Sequence, residues 1–410
     1  MEKDSEREAL LERLKAYADS LGLKGVRIAM LCPYYPTLKN PYLGGFSHSL
    51  ARVHSALLSL SVFVLDNKEE NYVYENVKVE RASPLKLVKK VLSFAPDLLL
   101  VMAAYNELIS LVNLIDKLHV FPKVTFSIGR DVYTNLIPAS WPDDDAWEKV
   151  IKLPYRMIPR RWHIQEFSNM LRLRRYLKKG DQRGDFIIHH SKWVKKMCEM
   201  STLYKAKNTQ IIPYPVDTTV FKFQPREGKV EKLICVRPLR RKKDYFGRKY
   251  ALDLVIRASR GKYETHIYGE GEGLYQYMAL ARKLKANVKF FPKFFTHREL
   301  AELYLQYDMG LMLSRVDSQG VSACEMQATG LPVITSAVQA IPEFATGGTI
   351  LIKNTEVDKV EKIIDDINER GILEELSWKA HKGIVEKCGI EKVMREHLLL
   401  FHQLLNERKL

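Results

Sequence analysis

The stretch SRVDSQGVSACEMQATGLPVIT, residues 314–335, decides more about the fold of this chain than any other part of it. Two acids, Asp317 and Glu325, stand eight positions apart on either side of a Gly-Val-Ser step. A helix that begins at Gly320, Val321 and Ser322 would offer free N–H groups and the positive end of its dipole to a phosphate. The two carboxylates repel phosphate, but they accept hydrogen bonds from sugar or ribose hydroxyls. The stretch therefore predicts a site for a nucleotide sugar, in which a phosphate lies between two sets of hydroxyls.

Around this stretch, short apolar runs typical of strands alternate with runs of helical periodicity, which is the pattern of α/β layers. At 410 residues the chain is too long for one core and predicts two domains. Two doubly wound domains that face each other across a cleft account for this order. The predicted strands are Val26–Cys32, Ser61–Asp66, Asp97–Ala103, Lys123–Ile128 and Asp185–His190, then Lys232–Val236, Thr265–Tyr268, Asn287–Phe291, Met309–Leu313, Val333–Ser336 and Thr349–Ile352.

Stretch 314–335 resembles the E-x7-E signature of the retaining GT-B glycosyltransferases of family four, S-x-x-E-x-x-G-x-x-x-x-E-A-M-A-x-G-x-P-V. Asp317 replaces the first Glu, and Met326-Gln327-Ala328 replaces Ala-Met-Ala. The matching positions are Ser314, Gly320, Glu325, Gly330, Pro332 and Val333. The resemblance implies two Rossmann-like domains with a C-terminal helix that crosses back to the first domain. It places an acceptor-binding domain at 1–210, a donor-binding domain at 211–385 and the returning helix at 386–410.

The joint between the two halves has its own signal in IIPYPVDTTVF, residues 211–221. This segment resembles the family's I-P-N-G-V-D-x-x-x-F connector, and Pro213 and Pro215 hold the chain extended. Tyr214 and Pro215 stand where the family has Asn-Gly, so the local turn must differ. We interpret the segment as the interdomain connector.

Two basic residues are candidates to hold the donor pyrophosphate. Arg237 ends a predicted strand where the family has Gly-Arg, and Lys249 opens the next helix where the family has Lys-Gly. Cations at these positions would neutralise the charge that builds on the departing nucleotide. The gap between them is longer than in the family, so Lys243 is an alternative to Lys249.

Other matches place further residues near the donor. Gly269 and Gly271 follow a strand in a GEGEG run, which favours a tight turn and a close backbone approach to a ligand. Phe291-Pro292-Lys293 resembles the family loop that meets the nucleotide base, which makes Lys293 a donor-binding candidate. In the first half, Gly44 and Gly45 fit either the family's donor-phosphate loop or a simple glycine turn. Where many members carry a His that contacts the sugar, this chain has Arg130 and Asp131, which we assign to the acceptor side.

Composition favours an intracellular enzyme without a metal or cofactor. The five cysteines are scattered and form no CxxC pair, which argues against a disulfide framework or a structural zinc site. No apolar run approaches the ~18–20 residues that span a bilayer. The first twenty residues are charged throughout and are typical of a surface helix. The predicted compartment is the cytoplasm, and the nucleotide-diphosphate sugar is expected as substrate.

The net charge of +16 is concentrated in two clusters. Nine basic and two acidic residues lie between Arg156 and Arg183, and seven basic residues lie between Arg237 and Lys249. The first cluster also contains Trp162 and several Leu and Met residues. This mixture is typical of a basic helix on an anionic membrane surface. The alternative is an ordinary helix whose apolar face lies in the core.

The sequence thus predicts a retaining hexosyltransferase that moves a sugar from a nucleotide-diphosphate sugar to a glycan or lipid-linked acceptor. In this reading Glu325 binds the ribose hydroxyls and Asp317 the sugar. The leaving phosphate would serve as the base, so catalysis would rest on positioning and charge stabilisation. The alternatives are another enzyme on the same scaffold, such as a nucleotide-sugar epimerase, and a basic nucleic-acid-binding protein. The second leaves the Asp317–Glu325 pattern unexplained, so we expect no nucleic acid partner.

Overall fold

The computed structural model describes residues 2–38, 44–103, 106–127, 161–241 and 245–407. The predicted acceptor-side residues Arg130 and Asp131, and the alternative cation Lys243, lie outside these ranges. The described residues form two compact units, which divide between Tyr214 and Pro215 and again between Ile390 and Glu391. Each unit is an α/β layer structure around one sheet, which is all parallel in the second unit and parallel except for β3 in the first, as the doubly wound prediction requires.

The first unit is built on an eight-stranded sheet with the order β3-β4-β2-β1-β5-β6-β7-β8. All neighbouring strands are parallel except β3, which pairs antiparallel with β4 at one edge. The central strands are buried over nearly their whole length because helices cover both faces. The strands are β1 Arg27–Cys32, β2 Ser59–Leu65, β3 Glu70–Tyr74, β4 Val77–Ala82, β5 Leu98–Met102, β6 Lys123–Phe126, β7 Phe186–His189 and β8 Thr209–Ile211.

The helices of the first unit include the last helix of the chain, Ile390–Glu407. Glu391 in this helix pairs with Arg13 at 2.9 Å, and Nδ1 of His397 lies 3.3 Å from Nε2 of His54. The last helix therefore packs on the first unit, as the GT-B resemblance implies. The other helices are Glu2–Ser20, Gly45–Leu57, Pro84–Phe94, Asn106–Ile115, Arg161–Gln182 and Lys192–Thr202.

The basic helix Arg161–Gln182 seats its apolar side in the core of the first unit. Met170, Leu173, Tyr176 and Leu177 are all buried there. Their burial supports an ordinary helix, because these side chains cannot also enter a membrane. The charged side of this helix and Phe167, which is 61% exposed, are left for an anionic surface.

The second unit is built on a six-stranded parallel sheet with the order β11-β10-β9-β12-β13-β14. The strands are β9 Lys232–Val236, β10 Glu264–Tyr268, β11 Val288–Phe291, β12 Met309–Met312, β13 Val333–Ser336 and β14 Thr349–Ile352. The helices are Tyr245–Tyr250, Leu252–Ala258, Leu274–Leu284, His297–Tyr304, Val321–Ala328, Val360–Arg370 and Leu373–Cys388, with 3-10 turns at Ile341–Phe344 and Asn354–Lys359.

The strand order of the second unit fixes where a ligand can bind. After β9 the chain adds β10 and β11 on one side, and it then returns to add β12, β13 and β14 on the other. The point of reversal lies between β9 and β12. In open parallel sheets, ligands bind outside the carboxyl ends of the strands at such a point. Arg237 follows β9 directly and Ser314 lies two residues after β12, so both stand at this position.

Candidate functional site

The guanidinium of Arg237 brings the carboxyl ends of β9 and β12 together. Arg237 is buried, and its Nη2 donates to Oγ of Ser314 at 2.8 Å. Its Nη1 lies 3.8 Å from Oδ2 of Asp317. Nε of Arg237 is also buried and has no hydrogen-bond partner. A cation held in this way is preorganised for an anion, because its side chain is already fixed by buried neighbours.

A chain of buried polar groups holds Ser314 in place through hydrogen bonds. The backbone N–H of Ser314 donates to Oγ of Ser336 at 2.9 Å, and this hydroxyl donates to Oδ1 of Asn354 at 2.5 Å. Nδ2 of Asn354 closes the chain on the carbonyl of Ser314 at 3.0 Å. Sequence reasoning missed Ser336 and Asn354. The only signal was that each polar residue stands at or just after the end of an apolar strand.

Asp317 shapes the turn into the next helix as well as facing Arg237. Its Oδ1 accepts from the N–H groups of Ser318 at 2.9 Å and Gly320 at 3.2 Å. Gly320 has φ 74°, and a Cβ there would lie 2.6 Å from Cδ1 of Ile341. Glycine is therefore required to begin the helix Val321–Ala328. One carboxylate oxygen of Asp317 is committed to this turn, which leaves Oδ2 for Arg237 or a ligand.

The helix Val321–Ala328 begins at the predicted phosphate site. Gly320 is its N-cap, and Val321 and Ser322 are its first two residues. The first N–H groups of a helix have no carbonyl one turn earlier, so they remain available to an anion. The N–H of Gly320 already donates to Oδ1 of Asp317, so of the three predicted N–H groups those of Val321 and Ser322 are left for an anion beside Arg237.

Glu325 lies on the same helix, one turn further from the N-terminus. It is only 8% exposed, and Nε2 of His297 lies 3.8 Å from its Oε1. Burial raises the pKa of Glu325 to about 8. The phenol of Tyr304 is fully buried near this carboxyl, and its Oη has no hydrogen-bond partner. Burial and the Glu325 charge raise the pKa of Tyr304 well above its usual value, while Arg237 opposes the rise.

Arg226 fixes the helices that carry these groups, and sequence reasoning missed it. Its guanidinium is buried and donates to the carbonyls of Tyr304 at 2.9 Å, Tyr307 at 2.8 Å and Thr329 at 3.3 Å. Tyr304 ends one helix, and Thr329 is the C-cap of Val321–Ala328. Burial lowers the pKa of Arg226 to about 10, and a positive charge at two helix C-termini interacts favourably with both dipoles.

Gly269 and Gly271 of the GEGEG run lie against the backbone of the loop that follows β9. A Cβ on Gly269 would lie 2.0 Å from the carbonyl oxygen of Arg237, and one on Gly271 would lie 2.4 Å from that of Leu239. The N–H of Leu239 also donates to the carbonyl of Glu270 at 2.9 Å. The predicted glycines therefore let two loops at the carboxyl edge lie side by side, and so they position the backbone that carries Arg237.

Lys249 and Arg237 both lie close to the ring of Tyr250. The Tyr250 ring centre lies 5.2 Å from Cζ of Arg237 and 5.5 Å from Nζ of Lys249. The carbonyl of Lys249 accepts from the N–H of Arg315 at 3.0 Å, and Arg315 makes a two-pronged contact with buried Asp253 at 2.9 Å. The prediction that Lys249 opens a helix is wrong, because Lys249 lies near the end of the helix Tyr245–Tyr250, and Ala251 at φ 49° separates it from Leu252–Ala258.

We expect Lys249→Ala to lower turnover about tenfold or more, because a charge-assisted hydrogen bond to phosphate contributes about 1.5–3 kcal/mol. Its melting temperature should stay near that of wild type, since Lys249 is a half-buried side chain near the end of the short helix Tyr245–Tyr250. The matched control is Lys262→Ala, which removes an exposed lysine that pairs with Asp365. If Lys249→Ala turns over at the wild-type rate, Lys243 becomes the candidate for the lysine that binds the pyrophosphate.

The remaining predicted residues, Lys293, Gly44 and Gly45, lie in other parts of the two units. Lys293 is exposed at the end of β11, two strands from β9, where its Nζ lies 3.5 Å from Glu299 and 4.8 Å from the Phe295 ring centre. In the first unit, Gly44 has φ 76° and a Cβ there would lie 2.7 Å from the carbonyl oxygen of Tyr34. Gly45 has open space around its Cβ position. Gly44 is thus required by the turn itself, whereas Gly45 could face a ligand.

Within the described residues, no three His, Cys, Asp or Glu side chains lie together as a metal site would require. Nor is any helix within them long and apolar enough to cross a membrane.

Comparison with known sequences identifies the second half of the chain. Residues 217–380 match the family model described as "Glycosyl transferases group 1". A Klebsiella pneumoniae protein described as "Uncharacterized 41.2 kDa protein in cps region" is 30% identical over 121 residues. That match covers 29% of this chain and 32% of the other protein, so it spans about a third of the length of that relative.

Solved structures share the fold over nearly the whole chain. Sucrose-phosphate synthase from Thermosynechococcus elongatus has a TM-score of 0.67 at 14% identity, over 93% of this chain and 100% of that one. Anabaena HepE in complex with UDP and glucose has a TM-score of 0.65 at 13% identity, over 92% and 100%. An E. coli structure titled trehalose-6-phosphate, bound with UDP-2-fluoro glucose, has a TM-score of 0.60 at 12% identity, over 92% and 98%. The chain therefore has the GT-B fold, and its residues 217–380 match the glycosyl transferases group 1 family.

Proposed function

We propose that this protein is a retaining glycosyltransferase that moves a hexosyl group from a nucleotide-diphosphate sugar to a glycan or lipid-linked acceptor. The observation that carries the proposal is the meeting of Arg237 and Asp317 at 3.8 Å beside the start of the helix Val321–Ala328. This point is the strand-order reversal of the donor-type unit, where parallel sheets bind ligands. The family match over residues 217–380 supports sugar transfer as the reaction class.

The chemistry follows from the charges at the reversal point. The first N–H groups of the helix, together with Arg237 and Lys249, hold the pyrophosphate and neutralise the charge that develops as the glycosidic bond to the nucleotide breaks. The leaving phosphate receives the acceptor proton on the same face of the sugar, so the anomeric configuration is retained. Asp317 accepts hydrogen bonds from sugar hydroxyls through Oδ2, and Glu325 accepts them from the ribose. In this scheme the reaction uses neither a metal nor a cofactor, and the nucleotide sugar is the substrate.

A donor screen tests this proposal. The purified protein is incubated with UDP-, GDP-, ADP- and dTDP-sugars, and release of the nucleoside diphosphate is measured with and without EDTA. We expect one base to be preferred and release to be unaffected by EDTA. The anomeric configuration of the released sugar, followed by NMR, should match that of the donor. Inversion would overturn the retaining assignment, and no release from any donor would overturn the transferase assignment.

We also propose that the protein acts on the inner face of a membrane through charge alone. The support is the charged side of the helix Arg161–Gln182, in which Met170, Leu173, Tyr176 and Leu177 lie in the core and Phe167 is exposed. Basic residues near an anionic leaflet contribute about 1 kcal/mol each. Such binding requires no inserted side chain, and it would suit a lipid-linked acceptor.

Flotation with liposomes measures this membrane association. We expect flotation with anionic vesicles, none with neutral vesicles, and loss of binding at high salt because exposed charges are screened. Charge reversal at Arg172, Arg174 and Arg175 should abolish flotation, whereas Arg257→Glu in the second unit should not. Sedimentation of the wild-type protein in the presence of anionic vesicles would favour a soluble glycan as the acceptor.

A further inference from the structure

The ring of Tyr250 lies against both cations that we assign to the pyrophosphate. Its centre is 5.2 Å from Cζ of Arg237 and 5.5 Å from Nζ of Lys249. The negative face of an aromatic ring attracts a cation that lies within about 6 Å of its centre. Arg237 and Lys249 carry the same charge and therefore repel each other. A ring that attracts both offsets part of this repulsion before an anion binds.

Lys249 depends on this ring more than Arg237 does. The guanidinium of Arg237 is already fixed, because it donates to Ser314 at 2.8 Å and faces Asp317 at 3.8 Å. Lys249 is half-buried, and it carries its charge on a flexible four-carbon stem. Contact with the Tyr250 ring limits the positions that the ammonium can take. The ring therefore orders the more mobile cation beside the one that is already ordered.

The backbone on both sides of Tyr250 is held in place by the fold. Before it, Arg315 donates its N–H to the carbonyl of Lys249 at 3.0 Å and its Nη1 to the carbonyl of Arg248 at 3.2 Å. After it, Ala251 has φ 49°, a left-handed conformation that residues with a Cβ adopt only where the surrounding structure imposes it. Tyr250 also stands where the family pattern Lys-Gly has its glycine. The ring is thus a feature of this chain, at a position that the backbone fixes.

We propose that Tyr250 is a positioning residue, whose ring face holds Lys249 beside Arg237 so that the two cations meet the pyrophosphate as a pair. The proposal rests on the proposed function, because it takes the ligand to be a nucleoside diphosphate or its sugar. Tyr250 makes and breaks no bond in this role. It acts through Lys249, because an ammonium that is ordered in advance loses less freedom when the anion binds.

Calorimetry on variants of Tyr250 measures this effect. UDP, GDP, ADP, dTDP and inorganic pyrophosphate are each titrated into wild type, Tyr250→Phe and Tyr250→Leu. For the anions that bind wild type, we expect Tyr250→Leu to weaken binding roughly 3- to 30-fold, the range of a single cation–π contact. Tyr250→Phe keeps the ring and should bind as wild type does.

The matched control is Tyr263→Leu, which removes a half-buried ring of the same unit, 5.2 Å from Nζ of Lys262. This control should bind every anion as wild type does. If Tyr250→Leu binds as tightly as wild type, the inference is wrong and the proposed function stands. If wild type binds none of the five anions, both are wrong.

Two further measurements separate this role from packing. Pentafluorophenylalanine in place of Tyr250 has nearly the shape of phenylalanine, but its face is no longer negative. It should bind the anion more weakly than Tyr250→Phe, and this comparison holds even if Tyr250→Leu does not fold. In a Lys249→Ala protein, Tyr250→Leu should cost less affinity than it does in wild type, because the ring then has only Arg237 to attract. Equal losses in the two backgrounds, or equal binding by the two aromatic variants, would overturn the inference.

Discussion

Arg237→Ala is expected to lower the rate of sugar transfer about 100- to 1,000-fold, the range found when one preorganised charge-stabilising group is removed from a buried site. Arg237 is buried at the end of β9 and fixed by Ser314 at 2.8 Å, so its cation needs no rearrangement as the pyrophosphate departs. Lys249 does not reach the same depth, because it is half-buried near the end of the helix Tyr245–Tyr250. The loss should appear in kcat more than in KM.

The measurement is nucleotide release under saturating donor, together with the melting temperature. Arg240→Ala is the matched control, because Arg240 is exposed three residues further along the same loop and pairs with Glu272 at 3.3 Å. The control should retain wild-type turnover. A wild-type rate for Arg237→Ala with an unchanged melting temperature would place the pyrophosphate elsewhere.

Glu325→Gln is expected to stabilise the folded protein at pH 8 and to change little at pH 4.5. Burial raises the pKa of Glu325 to about 8, whereas an unfolded glutamate has its ordinary value near 4.5. Between these two values the unfolded chain loses the proton and the folded protein keeps it, so stability falls as the pH rises. Above pH 8 this loss of folding stability is complete. Each pKa unit corresponds to about 1.4 kcal/mol, so we expect a gain of roughly 2–4 kcal/mol for the amide at pH 8.

Thermal melting at pH 5 and pH 8 checks the sign and the size. The gain at pH 8 should raise the melting temperature by at least about 5 °C for a unit of this size. Glu369→Gln, at an exposed glutamate of the same unit, is the control and should change nothing at either pH. A destabilised Glu325→Gln at pH 8 would contradict the buried neutral acid. If Glu325→Gln is more stable than wild type at pH 8 but binds nucleotide more weakly, Glu325 serves ligand binding at a cost in stability.

The sequence predicted the second unit closely because its local signals agree with its fold. Val333–Ser336 and Thr349–Ile352 are short apolar runs bounded by glycine and proline, and each is a strand over those residues. The first unit was harder, because β3 and β4 were missed. β3 is an edge strand with mostly exposed or half-buried side chains, and its antiparallel neighbour β4 mixes buried Val77, Val79 and Ala82 with polar residues, so neither strand has a continuous apolar run.

The candidate site was predictable only where its residues lie in one motif. Asp317, Gly320 and Glu325 share one stretch, and a helix start explains their spacing. Arg226 and Asn354 come from distant parts of the chain and meet the site only through strand order and helix ends. No spacing in the sequence connects them. The role of the glycines at 269 and 271 could not be read either, because their neighbours are carbonyls of another loop.

The buried polar chain from Arg237 through Ser314 and Ser336 to Asn354 divides the site into a floor and a rim. Each member of the floor satisfies the next, so changing one leaves an unpaired group in the interior, which costs about 1–3 kcal/mol. Variation in this floor would therefore require paired substitutions. The rim is built from Lys249, near the end of the helix Tyr245–Tyr250, and the half-exposed His297, where single changes leave the interior untouched. Libraries that seek a new donor preference should accordingly randomise the rim and keep the floor constant.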